Sequence, residues 1–104
     1  MPFKQPYSHA YSEPSVRASA PAVSGVYGIY CRRGSEQDWI YVGESQDILG
    51  RLLEHLQGKG PEDACIVSHS PTSFTYEAVE EKRRVARQDE LILELHPACN
   101  EKLG

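Results

Sequence analysis

Between residues 48 and 56 the apolar side chains Ile48, Leu49, Leu52, Leu53 and Leu56 recur at three- and four-residue spacing. On a helix that spacing forms one apolar stripe, and such a stripe must lie on a core. Ser45 is placed to cap the helix, and Gly58 and Gly60-Pro61 stop it. The residues before the stripe supply a candidate core. Val23 to Cys31 is apolar, aromatic and β-branched, with Gly25 and Gly28 where another segment can come close, and reads as a strand. Arg32 to Asp38, containing Gly34, reads as a turn, and Trp39-Ile40-Tyr41-Val42 as the second strand of an antiparallel hairpin.

Beyond the helix, residues 61–71 are ambiguous, because Ala64 to Val67 suits either a helical turn or a strand stub before Pro71. Phe74 to Val79 alternates with period two and predicts a third strand, followed by a charged helix from Glu80 to Leu95 that Pro97 ends. The order β-β-α-β-α implies an α+β domain with a small three-stranded antiparallel sheet flanked by helices. Residues 1–23 are rich in Pro, Ser and Ala without periodicity and read as an extended N-terminal arm. The folded unit is then 24–104.

A chain of 104 residues buries one modest core and forms a single domain. No apolar run approaches the roughly 18 residues of a membrane span. The N-terminus lacks the pattern of a secretory signal, which makes the cytoplasm the expected compartment. Cys31, Cys65 and Cys99 are odd in number and far apart, without zinc-type spacing, and read as buried thiols. The net charge of -4 opposes a nucleic-acid role, since phosphate contacts come from cations. Arg32-Arg33, Lys59 and the Lys82, Arg83, Arg84, Arg87 group are the local clusters that would have to overcome it. There are no repeats, no glycine-rich phosphate loop and no Ser/His/Asp nucleophile signature.

Gly25-Val26-Tyr27 on the first strand and Tyr41-Val42-Gly43 ending the second resemble the two halves of the GIY-YIG nuclease signature. The resemblance continues with Arg51 ten residues after Tyr41, His55 one turn later, Leu91-Ile92, Pro97 and Asn100, and so spans residues 24 to 100. Gly28-Ile29-Tyr30 is a second, literal match to the first half. Tyr27 is preferred to Tyr30, because Ser-Gly-Val-Tyr opening a strand is how such domains commonly begin.

This resemblance implies a metal-dependent endonuclease that hydrolyses DNA phosphodiester bonds. Tyr27 and Tyr41 would activate or hold the attacking water, Arg51 would bind phosphate oxygens, and His55 would move a proton or bond the phosphate. Gly43, Glu44 and Asn100 would lie against substrate. A tyrosine is a poor base at neutral pH, so the first role needs a nearby cation or metal to favour the phenolate. Arg51 suits the second because guanidinium keeps its charge and offers several fixed donors.

Two positions depart from the pattern. The family binds one divalent cation, Mg²⁺ or Mn²⁺, through a glutamate on the last helix, and counting back from Pro97 and Asn100 reaches Gln88. Glutamine keeps one carbonyl oxygen and loses the negative charge that a hard cation favours. Asp89 and Glu90 lie about 100° and 200° around the helix from it, so Glu90 substitutes only if the helix bends. A silenced binding domain, a ligand shifted elsewhere and an introduced substitution all account for Gln88. The second departure is Glu44, where relatives frequently carry lysine. Endonuclease and non-catalytic nucleic-acid-binding module are therefore the competing readings. A bare domain of this kind recognises DNA shape, a partner protein, or a second copy of itself in a homodimer.

Overall fold

The computed structural model describes Phe3 and residues 8–100. In chain order the elements are β1 (His9–Ala10), α1 (Glu13–Ser19), β2 (Gly25–Arg33), β3 (Glu36–Ser45), α2 (Ile48–Gln57), α3 (Asp63–Ser68), β4 (Ser73–Ala78) and α4 (Glu81–Leu95). The sheet is antiparallel, in the order β1-β4-β2-β3. The expected α+β class with helices flanking an antiparallel sheet is the one observed, with four strands rather than three. The fourth, β1, is only two residues long. It is too short to leave a period-two signature in the sequence.

That strand and α1 both fall where an extended arm was expected. Ser12 caps α1, its hydroxyl accepting from the Ser15 amide, and Pro14 sits in the first turn. Val16 and Ala20 then bury themselves in the core. Two apolar residues are too few to register as periodicity, although Ser12 followed by Glu13-Pro14 is a helix-start signal. Helix α2 is also capped two residues later than expected. Asp47 is its cap, accepting from the Gly50 amide, while the Ser45 hydroxyl accepts from the Asp47 amide. Gly58 ends α2 in the left-handed conformation, which glycine adopts without a Cβ penalty. The ambiguous segment after it forms α3.

Helices cover both faces of the sheet. On one, Tyr27, Ile29 and Cys31 of β2 and Phe74 of β4 pack with Val16, Ile48, Leu52 and Ile66. On the other, Val26 and Val42 pack with Phe3 and Leu91 of α4. Between β2 and β3 the pairing shifts: Ile29 faces Tyr41 while Tyr30 faces Trp39, leaving Ile40 as an extra residue. This bulge lets consecutive residues Ile40 and Tyr41 both pack against the first cluster. Strict alternation would have sent one of them to the opposite face.

The cysteine reading holds for Cys31, which is buried and free. It fails for the other two, because Cys65 on α3 and Cys99 after α4 form a disulfide. Their 34-residue separation carries no signal of pairing; the fold alone brings them together. No helix among the described residues is long and apolar enough to cross a membrane.

Candidate active site

Three elements deliver one cluster. Tyr27 comes from the middle of the sheet on β2, Tyr41 from the edge strand β3, and Arg51 and His55 from successive turns of α2. The Tyr27 and Tyr41 rings lie 6.3 Å apart, and the His55 ring is 5.5 Å from the first and 5.2 Å from the second. Tyr27 Oη is 2.6 Å from His55 Nε2. Tyr30 is elsewhere, against Trp39 with its hydroxyl donating to Ser8. Odd spacing along β2 puts it on the opposite face from Tyr27.

Gly43 explains how Tyr27 fits. It pairs directly across from Tyr27, and a Cβ built on it would collide with the Tyr27 ring and hydroxyl. Its role is to leave room for the tyrosine. Asn100 is likewise committed: its Oδ1 accepts from the Val42 amide and its Nδ2 donates to the Val42 carbonyl, both at 2.8 Å. Those two hydrogen bonds to the backbone tie the segment after α4 to β3 beside Tyr41. Glu44 is paired within the chain, its carboxylate accepting from Arg84 Nε at 2.5 Å.

Two residues of this cluster escaped the sequence reading, Glu62 and Asp63 at the start of α3. Arg51 Nη2 donates to Glu62 Oε1 at 2.5 Å, and Asp63 Oδ1 lies 2.6 Å from His55 Nδ1. Both belong to the segment whose structure was ambiguous, although Pro61 followed by two acidic residues is a helix-start pattern. Tyr27, His55 and Asp63 are 1%, 2% and 2% exposed, whereas the Arg51 side chain is 30% exposed. Solvent therefore meets Arg51 and half-buried Tyr41 first, and the Tyr27–His55–Asp63 chain lies behind them.

Burial sets the ionisation here. It pushes the Tyr27 hydroxyl well above the usual tyrosine range, Tyr41 adds to the rise, and Arg51 pulls the other way without prevailing. Tyr41 is raised by burial first and by Glu62 next, again against Arg51. His55 is lowered by burial, with its bond to Asp63 opposing. At neutral pH the cluster thus holds two protonated tyrosines and a neutral imidazole.

Gln88 lines a depression of about 480 Å³ at the β3 edge together with Tyr41, Glu62, Ile92, Asn100 and the Cys65–Cys99 disulfide. The position therefore does open beside Tyr41. Its donor set suits a hard divalent cation poorly, because Gln88 is neutral and Glu62, the carboxylate lining the depression, is already gripped by Arg51. Glu90 does not substitute, being turned to Arg87 in a separate depression formed with Glu77 and Arg83. The expected basic clusters are also partly spent. Arg84 holds Glu44, Arg87 holds Glu77 and Glu90, and Arg33 holds Asp38.

The GIY-YIG catalytic domain model matches residues 23–96, and the chain belongs to that family. Solved structures of like fold include the GIY-YIG N-terminal endonuclease domain of UvrC from Thermotoga maritima bound to its catalytic cation, magnesium. That domain is 23% identical, with a TM-score of 0.66 over 83% of this chain and 96% of that one. Two tyrosine-to-phenylalanine point mutants of the same domain, each bound to the catalytic divalent cation, give TM-scores of 0.67 at 23% and 22% identity, over 84% of this chain and 96% of that one. At such identities the likeness is one of fold. No curated protein sequence matches significantly.

Proposed function

We propose that this chain is an endonuclease module for DNA phosphodiester bonds, using Tyr27, Tyr41, Arg51 and His55, in a form whose cation position carries Gln88. The observation that carries this reading is the convergence of those four side chains, drawn from β2, β3 and α2, beside a depression that also holds Gln88. A packing role explains buried Tyr27. It does not explain why a partly exposed guanidinium and a half-buried tyrosine stand in front of a fully hydrogen-bonded Tyr–His pair.

The residues divide the work by position. Arg51 meets the phosphate, where its planar fork of donors neutralises charge that grows on the phosphoryl oxygens. Phosphate must share or displace Glu62 and Glu54, its present partners. Tyr41, next to Arg51 and nearest solvent, orients the phosphate or the attacking water. Tyr27, hydrogen-bonded to His55, takes the water's proton. No step is assigned to a cation, because the present donor set does not suit one.

A glutamate at position 88 supplies the missing charge at the same place on α4. Strengthening the hold on Mg²⁺ or Mn²⁺ by a full carboxylate is worth several kcal/mol of transition-state stabilisation, about a hundredfold or more in rate. Cleavage of labelled single-stranded, duplex and branched DNA by this chain and by Gln88→Glu, with either cation, tests the proposal. Cutting that rises at least about a hundredfold in the Gln88→Glu chain supports it. The neutral Gln88 also favours a second reading, a module that holds DNA without cutting it. Binding by both forms with cleavage by neither selects that one.

A further inference from the structure

Asp63 is a buried carboxylate that the GIY-YIG pattern does not supply, and its partners are specific. Its Oδ2 accepts from the Gly60 amide at 2.7 Å and its Oδ1 lies 2.6 Å from His55 Nδ1. Each carboxylate oxygen thus faces one nitrogen, and an ionised carboxylate can only accept. His55 Nδ1 must then be the donor. In a neutral imidazole one nitrogen carries the proton and the other accepts, so Nε2 is left as an acceptor 2.6 Å from Tyr27 Oη.

We propose that Asp63 is a positioning residue that holds His55 in the Nδ1–H tautomer, so that Nε2 accepts the Tyr27 hydroxyl proton and Tyr27 keeps its lone pairs for a water. The proposal rests on the endonuclease reading and deepens it. As the water's proton moves to Tyr27 Oη, Tyr27's own proton moves to His55 Nε2, and the imidazolium so formed faces the Asp63 carboxylate. The water oxygen bonds to phosphorus while the bond from phosphorus to the leaving sugar oxygen breaks. That oxygen takes a proton from solvent, and His55 later returns one.

A histidine alone is insufficient. Without an acceptor at Nδ1, the imidazole is free to carry its proton on Nε2 and donate to Tyr27, occupying the lone pair the water needs. Asp63→Asn tests this, because an amide at that place donates to Nδ1 and reverses the chain. Asp63 reaches the site only through His55. The charged and titratable groups around that imidazole are Tyr27 on β2, Tyr41 on β3, Arg51 on α2, and Glu62 and Asp63 at α3.

The first experiment is long-range ¹H–¹⁵N correlation on the ¹⁵N-labelled protein at neutral pH, which reads the His55 tautomer without any cleavage. A protonated Nδ1 and bare Nε2 are expected, inverting in Asp63→Asn. A protonated Nε2 in the unsubstituted protein overturns the proposal, whether or not the variant folds. The second is carried out in the Gln88→Glu chain, where Asp63→Asn should lower kcat by roughly 10² to 10⁴-fold with KM little changed. An unaltered kcat with an inverted tautomer refutes the catalytic part. If the Gln88→Glu chain itself cuts nothing, the endonuclease reading fails, and the tautomer measurement still decides whether Asp63 sets the chain's direction.

Discussion

Arg51 and Arg87 are both helical arginines gripping glutamates, and the sheet lies between their surroundings. Arg87 on α4 places Nε and Nη2 on the two oxygens of Glu77, each at 3.0 Å, with Nη1 on Glu90 at 3.2 Å. Glu77 is 5% exposed in its side chain and Arg87 18%. Arg51 on α2 holds a single oxygen of Glu62 and a loose, exposed Glu54, and it stands beside Tyr41. A two-point grip on a buried strand carboxylate fixes a helix to a sheet. A one-point grip on the first residues of a short helix, next to a depression, leaves a cation that another anion can recruit.

Arg51→Ala in the Gln88→Glu chain should lower DNA cleavage by roughly a thousandfold, since one lost charge-stabilising donor costs about 3–4 kcal/mol in the transition state. Its melting temperature should move by only a few degrees, because its pair with Glu54 is exposed and its pair with Glu62 is a single contact open to solvent on the arginine side, together on the order of 1 kcal/mol. Parallel kinetics and thermal melts check both halves. A collapse of the fold on Arg51→Ala would make the two arginines alike and remove the basis for a site.

The opposite pattern is expected across the sheet. Arg87→Ala deprives the buried Glu77 carboxylate of its guanidinium and should destabilise the protein by about 3 kcal/mol, more than 10 °C in melting temperature. DNA affinity of the folded fraction should be unchanged. Weakened binding at a temperature where the variant is fully folded would instead assign Arg87 to the nucleic-acid surface.

The smallest effect concerns pH. Burial lowers the His55 pKa below its ordinary value near 6.5, so the unfolded chain binds that proton more readily than the native one. The stability contributed by neutral His55 is fully present above about 6.5 and is lost as the pH falls from there through the folded value. Thermal melts from pH 8 down to pH 5 should show a decline that His55→Gln reduces. An equal decline in that variant would place the titration on other groups, and no comparable dependence is expected from Arg87.

Much of the fold was legible because apolar periodicity is a local property. The hairpin, the leucine stripe of α2, the third strand and the charged last helix all repeat their signal over several residues. Short elements carry no such repetition, which is why β1 and α1 went unread. The candidate site was legible where the family spacing reached it, in Tyr27, Tyr41, Arg51 and His55. Glu44 and Asn100 were legible as residues of interest, yet their partners were not, since Arg84 and the Val42 backbone lie 40 and 58 residues away.

By itself the sequence determined the periodicities, the signature residues and the substitution at Gln88, because each is written within a few positions of chain. Only the tertiary structure decided that Glu62 and Asp63 stand against Arg51 and His55, that a bulge turns Ile40 onto the face Tyr27 and Tyr41 share, and that Cys65 meets Cys99. Those facts depend on α3 and the C-terminal segment folding back against β3 and α2. A contact of that kind is fixed by packing in three dimensions, and no spacing along the chain encodes it.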